Sequence, residues 1–349
     1  MPISNERLSE RERRVLEAVV QSYVETAEPV GSRILARRFG LGVSAATIRN
    51  AMSDLEDKGL LSHPHTSAGR VPTDRAYRMY VDSLMQLAPP TPAQADAIRE
   101  ELGAEGSAIG SILMRAAQVL SVLTQELGVA VAPSLDNAVL ERLELLPVSS
   151  DRLLLVLTLH GGLVRTIFVE VPGHVHPSAV ASIAAILNER LARCTLREVR
   201  LSLRERVRDS AATPSESELL DIFVATSEQI FDVSADPGPE TLVLGRTSVL
   251  ADQPEFAQAP QMRELLALTD RRDELRRALV GRSDSLGITV TIGGENRGDQ
   301  LAKLSLVTSP YRSGPLSGVI GVIGPTRMPY EKVLALVEHT ARMVGDLLR

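Results

Sequence analysis

The apolar residues of this chain follow a helical period near the N-terminus, a period of two in the middle, and a mixture of both afterwards. From Leu16 to Tyr23, apolar side chains recur at i, i+3, i+4 and i+7, so they share one face of a helix. Ser9 and Glu12 have the spacing of a capping box, in which each side chain bonds the backbone of the other residue. The pattern therefore predicts a helix over about 9–26.

Two shorter helices follow, with a turn between them. A helix over 31–39 leads into "GLGV", a glycine-containing turn of the kind that joins the helices of a helix-turn-helix. Ser44 is placed to cap a third helix, which runs to Lys58 and ends at Gly59. "LLSH" and "RVP" then predict short strands around the loop "PHTSAG". Three helices followed by strand, loop and strand predict a winged helix-turn-helix.

A Pro-rich stretch, "LAPPTPAQ" at 87–94, follows this unit and predicts a stiff linker. Beyond it lies a long helical region, whose apolar stripe runs from Leu113 to Leu127 at spacings of three and four. From residue 139 the period becomes two, which predicts the strands "VLERLELLPV", "RLLLVLTL" and "LVRTIFVEV".

The C-terminal half continues with a helix over 178–193 and a mixed, Pro- and Asp-punctuated segment over 205–255. Later strands, "ITVTI", "LAKLSLVTSPY" and "SGVIGVIGP", precede a closing amphipathic helix. This order predicts a multidomain α+β protein whose antiparallel α+β domain carries an insertion. The predicted divisions are an N-terminal unit at 1–87, a linker at 88–94, an α+β domain in two parts at 95–204 and 256–349, and an insertion at 205–255.

Composition narrows the class of protein. Apolar residues make up 44% of the chain and charged residues 23%, which is ordinary for globular domains. Cys194 is the single cysteine, which excludes an intramolecular disulfide and a cysteine-based zinc site. Neither a secretion signal after Met1 nor an apolar stretch of about 18 residues is present. We therefore expect a soluble, cytoplasmic protein with no membrane association.

The charge is distributed unevenly. The chain carries a net charge of −6, yet residues 30–78 hold eight Lys and Arg against four Asp and Glu. That segment is therefore +4 and the remainder −10. A local basic surface, rather than the overall charge, determines whether a protein attracts phosphates.

The third helix carries the polar residues that suggest a partner. At 100° per residue, Ser44, Ile48, Ala51, Met52 and Leu55 share the side that must face the core. Broadly opposite lie Ala46, Arg49, Asn50 and Ser53, with Thr47 on the flank. Small residues let a helix enter a groove about 12 Å wide, where Arg binds guanine and Asn binds adenine. A solvated helix face is the alternative, and the surrounding helix-turn-helix pattern favours DNA.

The loop after the third helix would then be the wing of the DNA-binding unit. His65, Thr66, Ser67 and Arg70 are predicted to contact phosphates or the minor groove. His63 and His65 leave a zinc site short of its usual three or four ligands, so we predict no metal. Arg75 and Arg78 follow on the next helix, where they either reach the DNA backbone or are solvated.

No residue set in the chain indicates catalysis. Cys194 lies near the end of an amphipathic helix, where a small buried thiol is expected, and "HVH" at 174–176 lacks a third ligand. "GGENRGDQ" at 293–300 is Gly-rich but lacks the Lys-Ser/Thr of a phosphate-binding loop, so it predicts a polar hairpin loop. We predict no catalytic residues and no cofactor.

Most of the chain resembles the heat-inducible transcription repressor family HrcA. The resemblance is most specific in "SAGRVPTDRAYRMYVD" at 67–82, and it extends to "RTSVLADQPEF" and "GVIGVIGPTRMPYEKVLALVEHTARMVGDLL". It implies an N-terminal winged helix-turn-helix at 1–87, then a GAF-like domain at 95–204 and 256–349, interrupted by an inserted dimerization domain at 205–255.

The resemblance also implies partners. A member of this family is expected to be a homodimer that represses chaperone operons by binding an inverted-repeat operator called CIRCE in double-stranded DNA, with the GroE chaperonin modulating its activity. The alternative left open by the sequence is a winged-helix repressor whose GAF-like domain senses a small metabolite. The expected DNA-binding residues are Ser44, Ala46, Thr47, Arg49, Asn50, Ser53, His65, Thr66, Ser67, Arg70, Arg75 and Arg78.

Overall fold

The structure is a computed structural model with two compact units. One comprises 1–131, 242–311 and 319–344, and the other 132–241, 312–318 and 345–349. The residues that it describes are 8–64, 69–87, 89–103, 109–133, 135, 137–160, 163–171, 173, 175–208, 210–231, 242–257, 262–263, 267, 269–282, 285–296, 298, 301–314 and 316–348.

The N-terminal part of the first unit, 8–84, is three helices followed by a small antiparallel sheet and a fourth helix. Ser9 and Glu12 form the capping box that the sequence predicts. Buried Leu16, Leu35, Ile48 and Leu55 come from all three helices, so the predicted apolar stripes meet in one core. The elements are α1 (Glu10–Thr26), α2 (Ser32–Arg38), α3 (Ala45–Asp57), β1 (Leu61–Ser62), β2 (Val71–Pro72) and α4 (Asp74–Met79), which continues as a π-helical turn over Tyr80–Leu84.

The predicted long helical region is two helices and a strand, α5 (Pro92–Gly103), α6 (Ile109–Thr124) and β3 (Leu127–Val131). The prediction that Leu127 continues the helical stripe is wrong. Gln125 has a φ of 62°, a left-handed conformation that ends α6, and Leu127 opens the strand. Because β3 is buried on both faces, it lacks the alternation by which a half-exposed strand is identified.

In its described residues, the second unit contains four helices and a three-stranded antiparallel sheet of β4 (Leu140–Ser149), β5 (Arg152–Leu159) and β6 (Leu163–Glu170), in that order. Every second residue of these strands faces the helices of the unit, and the two layers form one apolar core. This core includes Leu155, Leu157, Leu187 and Phe223. The helices are α7 (Pro177–Leu191), α8 (Leu196–Arg206), α9 (Pro214–Ala225) and α10 (Ser227–Phe231). Gly161 and Gly162, between β5 and β6 in the chain, lie outside the described residues.

The following segment completes the first unit, whose described residues form a five-stranded sheet in the order β7 (Leu242–Leu244), β3, β10 (Leu316–Pro325), β9 (Leu304–Ser313) and β8 (Thr289–Ile292). Val243 on β7 and Ile320 on β10 both pair with Ala130, so β3 lies between two antiparallel neighbours. The segment also contains α11 (Ser248–Ala251), a 3-10 turn (Pro254–Phe256), α12 (Arg272–Val280) and α13 (Tyr330–Leu347).

The α+β class predicted from the sequence is confirmed. The predicted insertion at 205–255 differs from the compact units, because the second unit includes 132–241 and residues 242–255 belong to the first. The period-two pattern of β4 to β6 shows that they are strands but not which sheet they join. Helix α12 was not predicted, since only Leu275 and Leu279 of its residues are buried.

Candidate nucleic-acid interface

Helix α3 has one buried face and one polar face. Ser44 caps it, its Oγ accepting a 3.1 Å hydrogen bond from the backbone N–H of Thr47. Ile48, Ala51, Met52 and Leu55 are at most 1% exposed, as the helical period predicts. Ser44 itself is exposed rather than on the core side, because an N-cap residue lies outside the regular helix.

The face of α3 opposite the core is open to solvent in the first unit. Ala46, Arg49, Asn50 and Ser53 are exposed, and Thr47 is half-buried. Arg49 is exposed, and it makes no ion pair with any residue in the described ranges. A guanidinium and a carboxamide one residue apart offer paired donors to a guanine edge and a donor–acceptor pair to an adenine edge.

The two short strands after α3 are antiparallel, with Leu61 opposite Pro72 and Ser62 opposite Val71. Three of the predicted contact residues between them, His65, Thr66 and Ser67, lie outside the described residues. Arg70, at the end of the loop, forms a bridge with Val30.

Glu56 near the end of α3 contacts both sides of this loop. Its Oε2 accepts a 2.9 Å hydrogen bond from Arg70 Nε, and its Oε1 lies 2.5 Å from His63 Nδ1. Desolvation alone would raise the pKa of Glu56, but the hydrogen bonds from His63 and Arg70 outweigh it and hold that pKa below its ordinary value. His63 thus contacts a carboxylate, and the carboxylate anchors the predicted wing to the helix.

The two arginines of α4 are directed differently from Arg49. Arg75 Nη1 donates a 3.0 Å hydrogen bond to the carbonyl of Lys58, at the C-terminal end of α3. Arg78 is bonded to Glu295, Asp82 and the carbonyl of Val290. Its side chain is only 16% exposed, so its guanidinium is engaged by the protein itself.

Two basic residues that the sequence analysis did not select lie on α2. Arg33 and Arg37 are exposed, four residues apart on the same side of that helix. Helix α2 packs on α3, which places these charges on the same basic N-terminal part. The sequence feature that indicates these two arginines is the net charge of +4 over residues 30–78, to which both contribute.

The second unit presents a different surface, an apolar sheet face formed by the outward side chains of β4 to β6. Leu154 on β5 lies opposite Leu146 on β4 and opposite Phe168 on β6. The side chains of Leu146 and Phe168 are 46% and 65% exposed. The helices of this unit pack with the opposite, inward-facing residues. The members of the apolar sheet face are Leu146, Val148, Leu154, Val156, Val164 and Phe168.

Within the described ranges, no three or more His, Cys, Asp and Glu residues are grouped so as to hold a metal ion. Across the same ranges, no helix combines the length and apolar character required for a membrane span. Cys194 is buried, in the apolar core of the second unit.

Comparison with known proteins gives matches along nearly the whole chain. Residues 110–334 match the family model described as "HrcA protein C terminal domain". The chain is 39% identical to the heat-inducible transcription repressor HrcA of Chlorobium phaeobacteroides (strain BS1), with 98% of each chain covered. It is 36% identical to the repressor of the same name from Geobacter sulfurreducens, again with 98% of each chain covered.

A solved crystal structure of a protein described only as hypothetical has a similar fold. The TM-score is 0.61, at 21% identity, and the alignment covers 98% of this chain and 99% of that chain. This likeness concerns the fold alone.

Proposed function

Since this chain belongs to the HrcA family of heat-inducible transcription repressors, we propose that it represses transcription by inserting α3 into the major groove of double-stranded DNA. The observation that carries this proposal is the exposure of Arg49 and Asn50 on a helix whose opposite face is the core of the N-terminal part. Three helices followed by a two-stranded antiparallel sheet are the elements of a winged helix-turn-helix. A repressor family is not an enzyme family, and none of the proposed roles is catalytic.

The proposed base readers are Arg49 and Asn50, with Ala46 and Ser53 on the same face allowing close approach. Ser44 caps the helix by accepting from the backbone N–H of Thr47, and both residues lie at the helix N-terminus, which favours a phosphate. In the wing, the proposed backbone contacts are His65, Thr66, Ser67 and Arg70, with Arg33, Arg37 and Arg75 as neighbouring basic residues. We leave Arg78 out of this set, because Glu295 and Asp82 already neutralise it.

We also propose that the protein is a homodimer whose copies meet through the apolar sheet face. An exposed apolar patch on an otherwise polar protein marks an interaction site. A second copy fits because a sheet face can pair with itself about a two-fold axis. Each protein–base contact discriminates by only about 1–3 kcal/mol, so two α3 helices read an operator far more selectively than one. The operator is then an inverted repeat, since its symmetry mirrors that of the protein.

The resemblance to the HrcA family supports more specific proposals about the operator, the regulated genes, the partner and the location. We propose that the operator is of the CIRCE type, that the regulated genes include chaperone operons, that the GroE chaperonin modulates the repressor, and that the protein acts in the cytoplasm. The predicted GAF-like domain corresponds in this proposal to the five-stranded sheet and its helices.

One titration tests the core of the proposal. Full-length protein is titrated onto an inverted-repeat CIRCE-type duplex, a scrambled duplex of equal length and a single half-site, each at several salt concentrations. We expect preference for the inverted repeat and a log–log salt slope of about −0.9 per neutralised phosphate. Equal affinity for the scrambled duplex would contradict sequence reading. Repeating the titration with purified GroE chaperonin tests the partner, which is expected to increase the active fraction.

A further inference from the structure

The Gly-rich segment 293–296, "GGEN", contacts helix α4 of the N-terminal part. Gly293–Glu295 form a 3-10 turn directly after β8, and the turn lies beside Asp74 and Arg78. Sequence reasoning predicts only a polar hairpin loop here. The structure instead joins it to the region that carries α3, and we call Asp74, Arg78 and residues 293–296 the GGEN clasp.

The charged half of the clasp is Arg78 with Glu295. Arg78 Nε donates to Glu295 Oε1 at 2.8 Å, and its Nη2 donates both to Glu295 Oε2 and, at 2.7 Å, to the carbonyl of Val290. A guanidinium and a carboxylate joined by two parallel bonds fix relative orientation as well as distance. The pKa of Glu295 would be raised by desolvation, and Arg78 lowers it below its ordinary value.

The second half of the clasp is a close backbone contact. The N–H of Gly294 donates a 3.0 Å hydrogen bond to Asp74 Oδ2. Gly293 has a φ of 52°, and a Cβ at this position would lie 1.9 Å from the same oxygen. Only glycine fits both the left-handed backbone and the approach of the Asp74 carboxylate.

The turn is itself rigidly built. Asn296 is buried, and its Nδ2 donates to the carbonyls of Gly293, Leu301 and Leu304. The backbone N–H of Ile292 donates a 2.9 Å hydrogen bond to Glu295 Oε2. The Glu295 carboxylate that accepts from Arg78 is therefore also held by a backbone N–H of the turn.

A separate set of contacts joins the same parts of the first unit. Arg327 Nη1 donates a 2.6 Å hydrogen bond to the carbonyl of Val24 in the last turn of α1, and Glu255 holds the same guanidinium. Tyr80 donates to Glu331 on α13. The N-terminal part is therefore attached to the rest of the unit at several points, with the GGEN clasp directly behind α4.

We propose that the GGEN clasp is a positioning device that sets which operator spacing the repressor accepts. The inference rests on the proposed DNA binding by α3. Residues Asp74, Gly293, Gly294 and Glu295 touch no base in this scheme. They fix the N-terminal part to the five-stranded sheet within the first unit, and this joint limits how far each α3 helix of a dimer can shift or turn.

The geometry of DNA makes such a joint selective. Adding one base pair between half-sites moves them apart by about 3.4 Å and rotates one relative to the other by about 34°. A joint held by a bidentate ion pair and a backbone hydrogen bond resists both changes. Loosening the joint lets one repressor reach several spacings, at some cost in affinity for the best one.

The test uses the full-length protein and duplexes whose half-site spacing changes in steps of one base pair. The variant Glu295→Gln removes the charge of the clasp and keeps its shape, while Asp74→Ala removes the acceptor for Gly294. Arg99→Gln is the matched control, because it breaks an exposed ion pair with Asp96 in the same unit. Circular dichroism and the affinity for a single half-site establish that each variant is folded and able to bind.

We expect the unaltered protein and Arg99→Gln to lose about tenfold or more in affinity when the best spacing changes by two base pairs, which corresponds to about 1.4 kcal/mol. Glu295→Gln and Asp74→Ala are expected to keep their half-site affinity within about twofold while that ratio falls to about threefold or less. If either variant folds and keeps the original spacing profile, the clasp does not set spacing. If the unaltered protein binds no half-site, the proposed DNA binding itself has failed.

Amide hydrogen exchange tests the GGEN clasp in the absence of DNA. The hydrogen bond from Gly294 to Asp74 predicts slow exchange of the Gly294 amide hydrogen, and Asp74→Ala is expected to accelerate that exchange several-fold. Equal exchange in the two proteins would show that the clasp is open in solution and would overturn the proposal even before any duplex is added.

Discussion

Arg70 Nε donates a 2.9 Å hydrogen bond to Glu56 Oε2, so the strand after the predicted wing is tied to the last turns of α3. The same carboxylate contacts His63 at the other side of the loop. Arg70 is only 15% exposed in this arrangement, so its guanidinium fixes the base of the predicted wing. Arg70 shares one carboxylate with His63, whereas two carboxylates neutralise Arg78, and for this reason Arg70 stays in the proposed phosphate-binding set.

Arg70→Ala is expected to weaken binding to all duplexes by a similar factor and to reduce the magnitude of the salt slope by about one. The physical reason is that a phosphate contact carries no base information. Affinities for the operator and for several single-base variants, measured across a salt series, check this. A selective loss at one base pair would instead make Arg70 a base reader.

The contacts of Glu56 also predict a pH dependence of stability. Its folded-state pKa lies below the ordinary value of 4.5, so its contacts stabilise the fold above about that pH. This contribution is lost as the pH falls through the folded-state pKa. Urea unfolding of the full-length protein and of Glu56→Gln, compared between pH 3 and 7, is expected to show a difference in stability at pH 6–7 that disappears at the acidic end. A difference that is constant with pH would mean that the carboxylate charge is not responsible.

Arg49→Ala and Asn50→Ala are each expected to lower operator affinity by about 1–3 kcal/mol and to relax base preference. Both side chains are exposed and neither contributes to the core, so stability should change little. Arg204→Ala, which removes an exposed arginine from α8, is the charge-matched control. If both α3 variants bind the operator as the unaltered protein does, another element reads the bases.

The N-terminal part could be predicted closely because its signals are local. Ser9, Ser44 and Thr73 cap their helices with side-chain bonds to residues three positions away, and the apolar stripes have an unbroken period. The exposed face of α3 follows from the same period. Such signals need no knowledge of the rest of the chain.

The rest of the fold and of the candidate site could not be predicted, because it depends on contacts between residues that are distant in the sequence. Arg49 and Arg78 look alike as basic residues on predicted helices, yet Arg78 bonds a carboxylate 217 positions away. The strand β3 is buried on both faces, and β7 and β10, which come from separate parts of the chain, pair with its two edges. Periodicity reports which residues face a core, but it does not report which distant segment supplies that core.

The apolar sheet face predicts how a substitution within it changes dimerization. Phe168→Asp is expected to weaken dimerization by about 100-fold or more, since burying a Phe contributes about 1.5–3 kcal/mol and a two-fold interface contains it twice. Sedimentation equilibrium measures this directly, and operator affinity should fall towards that for a half-site. Leu201→Asp is the control, because Leu201 is 75% exposed on α8, outside this face. Should Phe168→Asp remain dimeric at concentrations where the unaltered protein is dimeric, the two copies meet through some other surface.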